Sequence, residues 1–213
     1  MKIEIWSDYN CPFCYIGKVH LEKALAELNL TDKVELIYKA YQLDPTAPKI
    51  ARFSTAEGLA RKYAVSLEEA KAMMNNVVVK AKTIGLTYNY DLVQPTNTFD
   101  AHRVIKMASK AQAKALNAAF YDAYFTSGKN LADYEVLIQY AIEAGLKKDD
   151  VKALLHSDQL KAEVEADIAE AKALKVRGVP YFRINKKSVI PGAQPISTFV
   201  DVIRDAYISE MGK

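Results

Sequence analysis

The sequence is short of the residues that would commit it to several common architectures. It has two cysteines in 213 residues, so a multi-disulfide scaffold is excluded. Eight glycines and seven prolines are too few for a fibrous or low-complexity chain and favour long helices with short connections. No run approaches the roughly 18 apolar residues of a membrane span, so no membrane partner is expected. Lysine plus arginine total 29 and aspartate plus glutamate 26, a net charge of +3. No dense basic run and no interleaving of aromatics with arginines is present, so nucleic acid is not an expected partner. Met1-Lys2-Ile3-Glu4-Ile5-Trp6 alternates polar with apolar residues and lacks the unbroken apolar stretch of a secretory signal; the expected location is cytoplasmic. What remains is half hydrophobic and 26% charged, the balance of a folded globule with one large domain or a small domain carrying an insertion.

Periodicity changes twice along the chain. Residues 2–7 alternate, with Ile3 and Ile5 on one face, and predict a strand. Pro12 suits a first helical turn, and Leu21, Ala24, Leu25 and Leu28 follow at helical spacing. Val34–Tyr41 is β-branched and aromatic, a second strand. From Asp44-Pro45 to about residue 176 the pattern is helix after helix. Ser66 with Glu69 forms a capping box. Behind it Leu67, Ala70, Met74, Val77, Val78 and Ala81 make an apolar stripe, read as core packing. Phe99–Ser109 and Leu116–Tyr124 look helical, and further stripes run through Tyr134–Ile142 and Leu160–Ala171. After Gly178-Val179-Pro180 the period returns to strands, Tyr181–Asn185 and Ser188–Ile190, and a last helix carries Ile196, Phe199, Val200, Ile203 and Tyr207. The expected class is α/β: a β-α-β unit and a β-β-α unit (residues 1–43 and 177–213) flanking an all-helical insertion (residues 44–176).

Both cysteines fall in Cys11-Pro12-Phe13-Cys14. A disulfide over so short a loop constrains the unfolded chain very little, so the pair is expected to be chemical rather than architectural. Placed just before a helix, Cys11 faces unpaired backbone N–H groups and the positive end of the helix dipole, which stabilise a thiolate. The thiolate is the nucleophile, and Cys14, nearly one turn on, can attack a mixed disulfide formed at Cys11. A Cys-x-x-Cys between a strand and a helix reads as a redox motif. No metal is expected: a structural site wants four ligands, the pair stands alone, and His20, His102 and His156 are scattered.

Val179-Pro180 is the second informative feature. A proline opening a strand is compatible with an edge strand. It is also compatible with a cis peptide that brings the Val179 backbone beside the sulfurs, where an extended substrate segment could pair by strand addition.

Several motifs resemble the DsbA-like thioredoxin family. They are Ser7-Asp8-Tyr9-Asn10-Cys11-Pro12-Phe13-Cys14-Tyr15-Ile16-Gly17, Tyr41-Gln42-Leu43-Asp44-Pro45, Asn97-Thr98-Phe99-Asp100-Ala101-His102-Arg103, Gly178-Val179-Pro180-Tyr181-Phe182 and Pro191-Gly192-Ala193-Gln194. The sequence is most similar to the FrnE-like branch, described as dithiol–disulfide isomerases and related to 2-hydroxychromene-2-carboxylate isomerases and kappa-class glutathione transferases. The resemblance implies a thioredoxin fold with a helical insertion. It implies Cys11 as the attacking and Cys14 as the resolving cysteine, and Pro180 as a cis-proline beside them. Pro12, Phe13, Val179, Asn97, Thr98 and His102 are the implied substrate-binding residues, His102 being either structural or an acid/base group. Lys39 and Trp6 either tune the site or pack. The implied activity is thiol–disulfide exchange on a protein or small-molecule substrate. No tightly bound cofactor is implied; glutathione is the candidate redox partner and a homodimer the candidate assembly. A glutathione-dependent isomerase or transferase, or a redox-regulated binding module or chaperone, are the alternatives. Relatives with glutathione chemistry generally carry serine where this chain has Cys11.

Overall fold

The computed structural model describes residues 1–212. In chain order the elements are β1 (Lys2–Ser7), α1 (Pro12–Glu27), β2 (Glu35–Ala40), α2 (Thr55–Tyr63), α3 (Leu67–Lys82), α4 (Phe99–Met107), α5 (Lys110–Phe125), α6 (Tyr134–Glu143), α7 (Lys148–Leu155), α8 (Lys161–Ala173), β3 (Tyr181–Ile184), β4 (Ser188–Pro191) and α9 (Ile196–Met211). They fall into two compact units, Met1–Leu43 with the chain from Ala162 onward, and Asp44–Lys161.

The first unit is built on one sheet of order β2-β1-β3-β4. β1 runs parallel to β2, with Trp6 opposite Lys39, and antiparallel to β3, with Trp6 opposite Tyr181. Alternation along β1 gives the sheet two different faces. Ile3 and Ile5 join Leu21 and Leu25 of α1, Phe182 and Ile184 of β3, and Phe199 and Ile203 of α9 in one apolar core. Glu4 and Trp6 point to the opposite face, which α8 covers with charge as well as apolar surface. The Trp6 indole N–H donates to the Asp167 carbonyl at 3.0 Å. The Asp167 carboxylate accepts from the Ala40 N–H at 2.9 Å and lies 3.0 Å from Lys39 Nζ.

Those bonds move a boundary. The sequence places α8 in the helical insertion, ending at residue 176, whereas α8 from Ala162 onward belongs to the sheet-bearing unit. The buried positions of α8 are Val164, Asp167 and Ala171. An aspartate in the packed row, held by the backbone of β2, is what the apolar stripe alone did not disclose.

The second unit has its own core, with Leu116, Phe120, Leu131, Leu137, Val151 and Leu154 fully or almost fully buried. The α3 stripe departs from expectation. Only Ala70 and Ala81 are buried, Leu67 is exposed and Met74, Val77 and Val78 are half-buried. The reason is its neighbour: α2 is nine residues long and buries only Ala56, so it covers a narrow alanine row. α2 and α7 fall within the stretch read as helix after helix but have no apolar stripe of their own singled out there; Ser54 and Glu57 form a capping box at the start of α2. α4 and α5 are separated at Ser109, which caps α5 with Gln112.

Candidate active site

The site begins with a buried aspartate. After β1, Asp8 accepts from the Asn10 N–H through one carboxylate oxygen at 3.3 Å and from the Leu43 N–H through the other at 2.7 Å. Its carbonyl accepts from the Cys11 N–H at 3.0 Å. Asp8 thereby folds the Tyr9-Asn10 turn and ties it to the segment leaving β2. The chain then enters α1 with Cys11 as the N-cap residue, in extended conformation, and Pro12 in the first turn. Pro12 has no N–H to leave unpaired there. No side chain caps this helix and no acid occupies its first turn, so the positive end of α1 is left for the sulfur.

Both sulfurs sit in that turn. The Cys14 N–H donates to the Cys11 carbonyl at 3.0 Å. Cys11 is 4% and Cys14 2% exposed. Burial first, then the hydrogen bond and charge of Cys11, hold the Cys14 thiol well above its ordinary value; a backbone hydrogen bond from Asp8 acts in the opposite direction. Phe13, between them, is 40% exposed, and Pro12 is half-buried. The chain therefore presents an apolar ring beside a shielded thiol pair.

The third strand supplies the other wall. The Val179–Pro180 bond is cis, and the Cys11 thiol donates to the Val179 carbonyl at 3.4 Å. Pro180 is buried at the head of β3, with its carbonyl accepting from the Gly192 N–H at 2.7 Å. Cys11, Cys14, Val179 and Pro180 are thus brought together within the first unit, with Pro12 and Phe13 at its rim.

Asn97, Thr98 and His102 belong to the second unit. The Asn97 side-chain amide donates to the Ala47 carbonyl at 3.1 Å, and its oxygen accepts from the Phe99 N–H at 2.9 Å. Thr98 precedes α4, and His102 is buried within it. Arg103, in the same segment, donates to the Asp100 carboxylate and to the carbonyls of Leu154, Ser157 and Gln159, a clamp on the chain after α7.

Lys39 and Trp6 fasten α8. Lys39 Nζ lies 2.9 Å from Glu170, and Arg183 bridges Glu4 and Glu170 at 2.6 Å each. The two cations stand over the Trp6 ring at 5.7 and 5.0 Å. Burial lowers the Lys39 ammonium's affinity for its proton, but bonds to Glu170 and Asp167 outweigh that and raise it. The signal for most of these partners is absent locally, because Lys39 and Glu170, and Glu4 and Arg183, are more than a hundred residues apart in sequence.

Among the described residues no three or more histidines, cysteines or acids are grouped to hold a metal ion, and no helix is long and apolar enough to cross a membrane. The second unit also holds a cleft of about 740 Å³ lined by Phe53, Lys71, Met74, Asn75, Tyr88 and Gln94 among others.

Comparison with known proteins agrees with this geometry. A probable DsbA oxidoreductase from Streptomyces coelicolor is 36% identical, with 97% of this chain and 90% of that one covered and a TM-score of 0.90. YwbO of Bacillus subtilis is 25% identical over 214 residues, 96% of each chain. The cytosolic disulfide reductase DsbM from Pseudomonas aeruginosa, solved with GSH, shares the fold at 16% identity and a TM-score of 0.67, over 96% of this chain and 98% of that one. The model of the DsbA-like thioredoxin domain matches residues 2–204, and with the thiol pair at the start of α1 and the β-α-β and β-β-α units around it, the chain belongs to the DsbA-like thioredoxin family.

Proposed function

We propose that this protein is a dithiol–disulfide oxidoreductase in which Cys11 is the nucleophile and Cys14 the resolving thiol. The observation that carries the proposal is the position of Cys11: the uncapped, acid-free N-terminus of α1, with Cys14 nearly one turn on and its N–H bonded to the Cys11 carbonyl. A thiolate at Cys11 attacks a substrate disulfide, forming a Cys11–substrate disulfide and releasing the first substrate thiolate. Cys14 gives up its proton to solvent or to that thiolate, attacks the Cys11 sulfur and releases the second. The substrate is reduced by two electrons and the Cys11–Cys14 pair is oxidised by two. A thiol reductant of the glutathione class resets the pair; the reverse sequence oxidises a dithiol substrate. Cytoplasmic operation and the FrnE-like isomerase assignment belong to the same proposal.

Substrate contacts come from Phe13, Pro12 and the Val179–Pro180 segment. Phe13 offers an exposed apolar surface beside the thiols, and the half-buried Val179 backbone can pair with an extended segment. Thr98 and His102 are buried and Asn97 is engaged by the Ala47 carbonyl, which favours packing roles for them. A glutathione-dependent isomerase would use the bound tripeptide's thiol and would have little need of the Cys11–Cys14 pair.

The test is exchange between the protein and a peptide disulfide. Cys11→Ser is expected to abolish turnover, and Cys14→Ser to permit one attack without release. Turnover that survives in the double Cys→Ser variant with glutathione present would replace this mechanism with the isomerase one.

A further inference from the structure

Glycine inside a helix costs about 1 kcal/mol relative to alanine, yet Gly17 stands buried in the second turn of α1. Its backbone needs no left-handed conformation; the reason lies in what a side chain would meet. A Cβ at Gly17 would lie 2.9 Å from Pro180 Cγ, 3.2 Å from Phe182 Cζ and 3.4 Å from Phe182 Cε2, against a comfortable separation of about 3.5–4.0 Å between carbons. Phe182 has little room to give. It is fully buried, its ring meets Phe199 edge-on at 4.9 Å, and its strand pairs with β1 at Ile5. An added methyl would be relieved by moving Pro180, and Val179 moves with it. Gly17 is three residues beyond Cys14 in α1, so it shares the helix face that carries the resolving thiol.

We propose that Gly17 is a positioning residue for the thiol pair: lacking a side chain, it lets the Val179–Pro180 segment close onto α1 and holds the Val179 carbonyl within reach of the Cys11 sulfur, where a peptide disulfide docks. The proposal rests on the oxidoreductase function above. It separates two classes of substrate. A small aromatic disulfide needs only the Cys11 sulfur, whereas a peptide disulfide also needs the Val179 backbone in register.

Gly17→Ala in the full chain is the test, with both exchange rates measured beside thermal stability. The expected result is a peptide-disulfide rate lowered about tenfold or more, as for a misplacement of the order of 1 Å, with the small-disulfide rate within about threefold of the unsubstituted protein. Peptide and small-disulfide rates both within about threefold, or both lowered in equal proportion, would overturn the proposal. If Gly17→Ala does not fold, Gly17→Ala with Phe182→Leu is used, because shortening Phe182 gives α1 room to move away from Pro180. Restored folding with restored peptide exchange supports the positioning role; restored folding with peptide exchange still lost, or failure of both variants to fold, assigns Gly17 to core packing alone and overturns it. Should the unsubstituted protein lack Cys11-dependent exchange, the oxidoreductase function fails separately. The Val179 carbonyl carbon shift then decides: positioning requires it to respond to Cys11→Ala when Gly17 is present and not when Gly17→Ala is made, and an equal response in both backgrounds overturns it.

Discussion

Cys14 is held protonated by its surroundings, and this has a consequence for stability. Its burial and the adjoining Cys11 raise its proton affinity in the folded state, so folding retains a proton that the unfolded chain gives up near the ordinary thiol value. That stabilisation is complete at neutral pH and declines as pH rises above the unfolded value towards the raised folded one, by up to about 1.4 kcal/mol per pH unit. Tyr38 is raised by burial and then by the Glu22 charge and acts with the same sign at higher pH. Denaturant titrations of the reduced protein from about pH 7 to 10.5 should therefore show an alkaline loss that is smaller in Cys14→Ala; an identical loss in both would contradict it. Single residues were legible in the sequence where chemistry is local. Cys11, Cys14 and Pro180 announce themselves by spacing and by the change of period around them. Asp8 and Gly17 do not, since what they do depends on Leu43 and Pro180, which only the fold brings near.

Among the elements, α8 is joined to the sheet through ions as well as apolar contacts. Arg183 and Glu4 are both buried and meet at 2.6 Å. Arg183 keeps Glu170 when Glu4 is removed, but removing Arg183 leaves Glu4 buried and uncompensated, so Arg183→Met should cost about 3 kcal/mol or more, whereas Glu4→Leu with Arg183→Met should recover most of it. Urea unfolding of the two variants checks this; equal losses would mean that the pair contributes through attraction rather than through the penalty of a lone charge. The strands and α1 were legible because alternation and a proline at a helix start are strong local signals. α8 was legible as a helix but not as part of the sheet unit, because Asp167 replaces an apolar residue in its packed row. The α3 stripe misled for the opposite reason: its main helical partner, α2, is short, and most of its apolar residues remain partly in water.

At the scale of the whole molecule, two compact units, each with its own core, stand in one chain. The second unit depends on Arg103, fully buried, whose guanidinium reaches three backbone carbonyls, one in the last turn of α7 and two between α7 and α8. Arg103→Lys keeps the charge and loses the planar fork. Amide exchange should quicken over residues 154–160 while β1 and β2 stay protected; uniform quickening through both units would show that the two cores unfold as one. The function rests on far less of the molecule, a single sulfur where β1 gives way to α1. Its most direct measurement is the site of covalent capture: Cys14→Ser incubated with a peptide disulfide and analysed by mass spectrometry without reductant. The account predicts one peptide per chain, linked to Cys11. Capture at Cys14 in Cys11→Ser, with none in Cys14→Ser, would reverse the roles of the two thiols, and capture in neither would contradict the account.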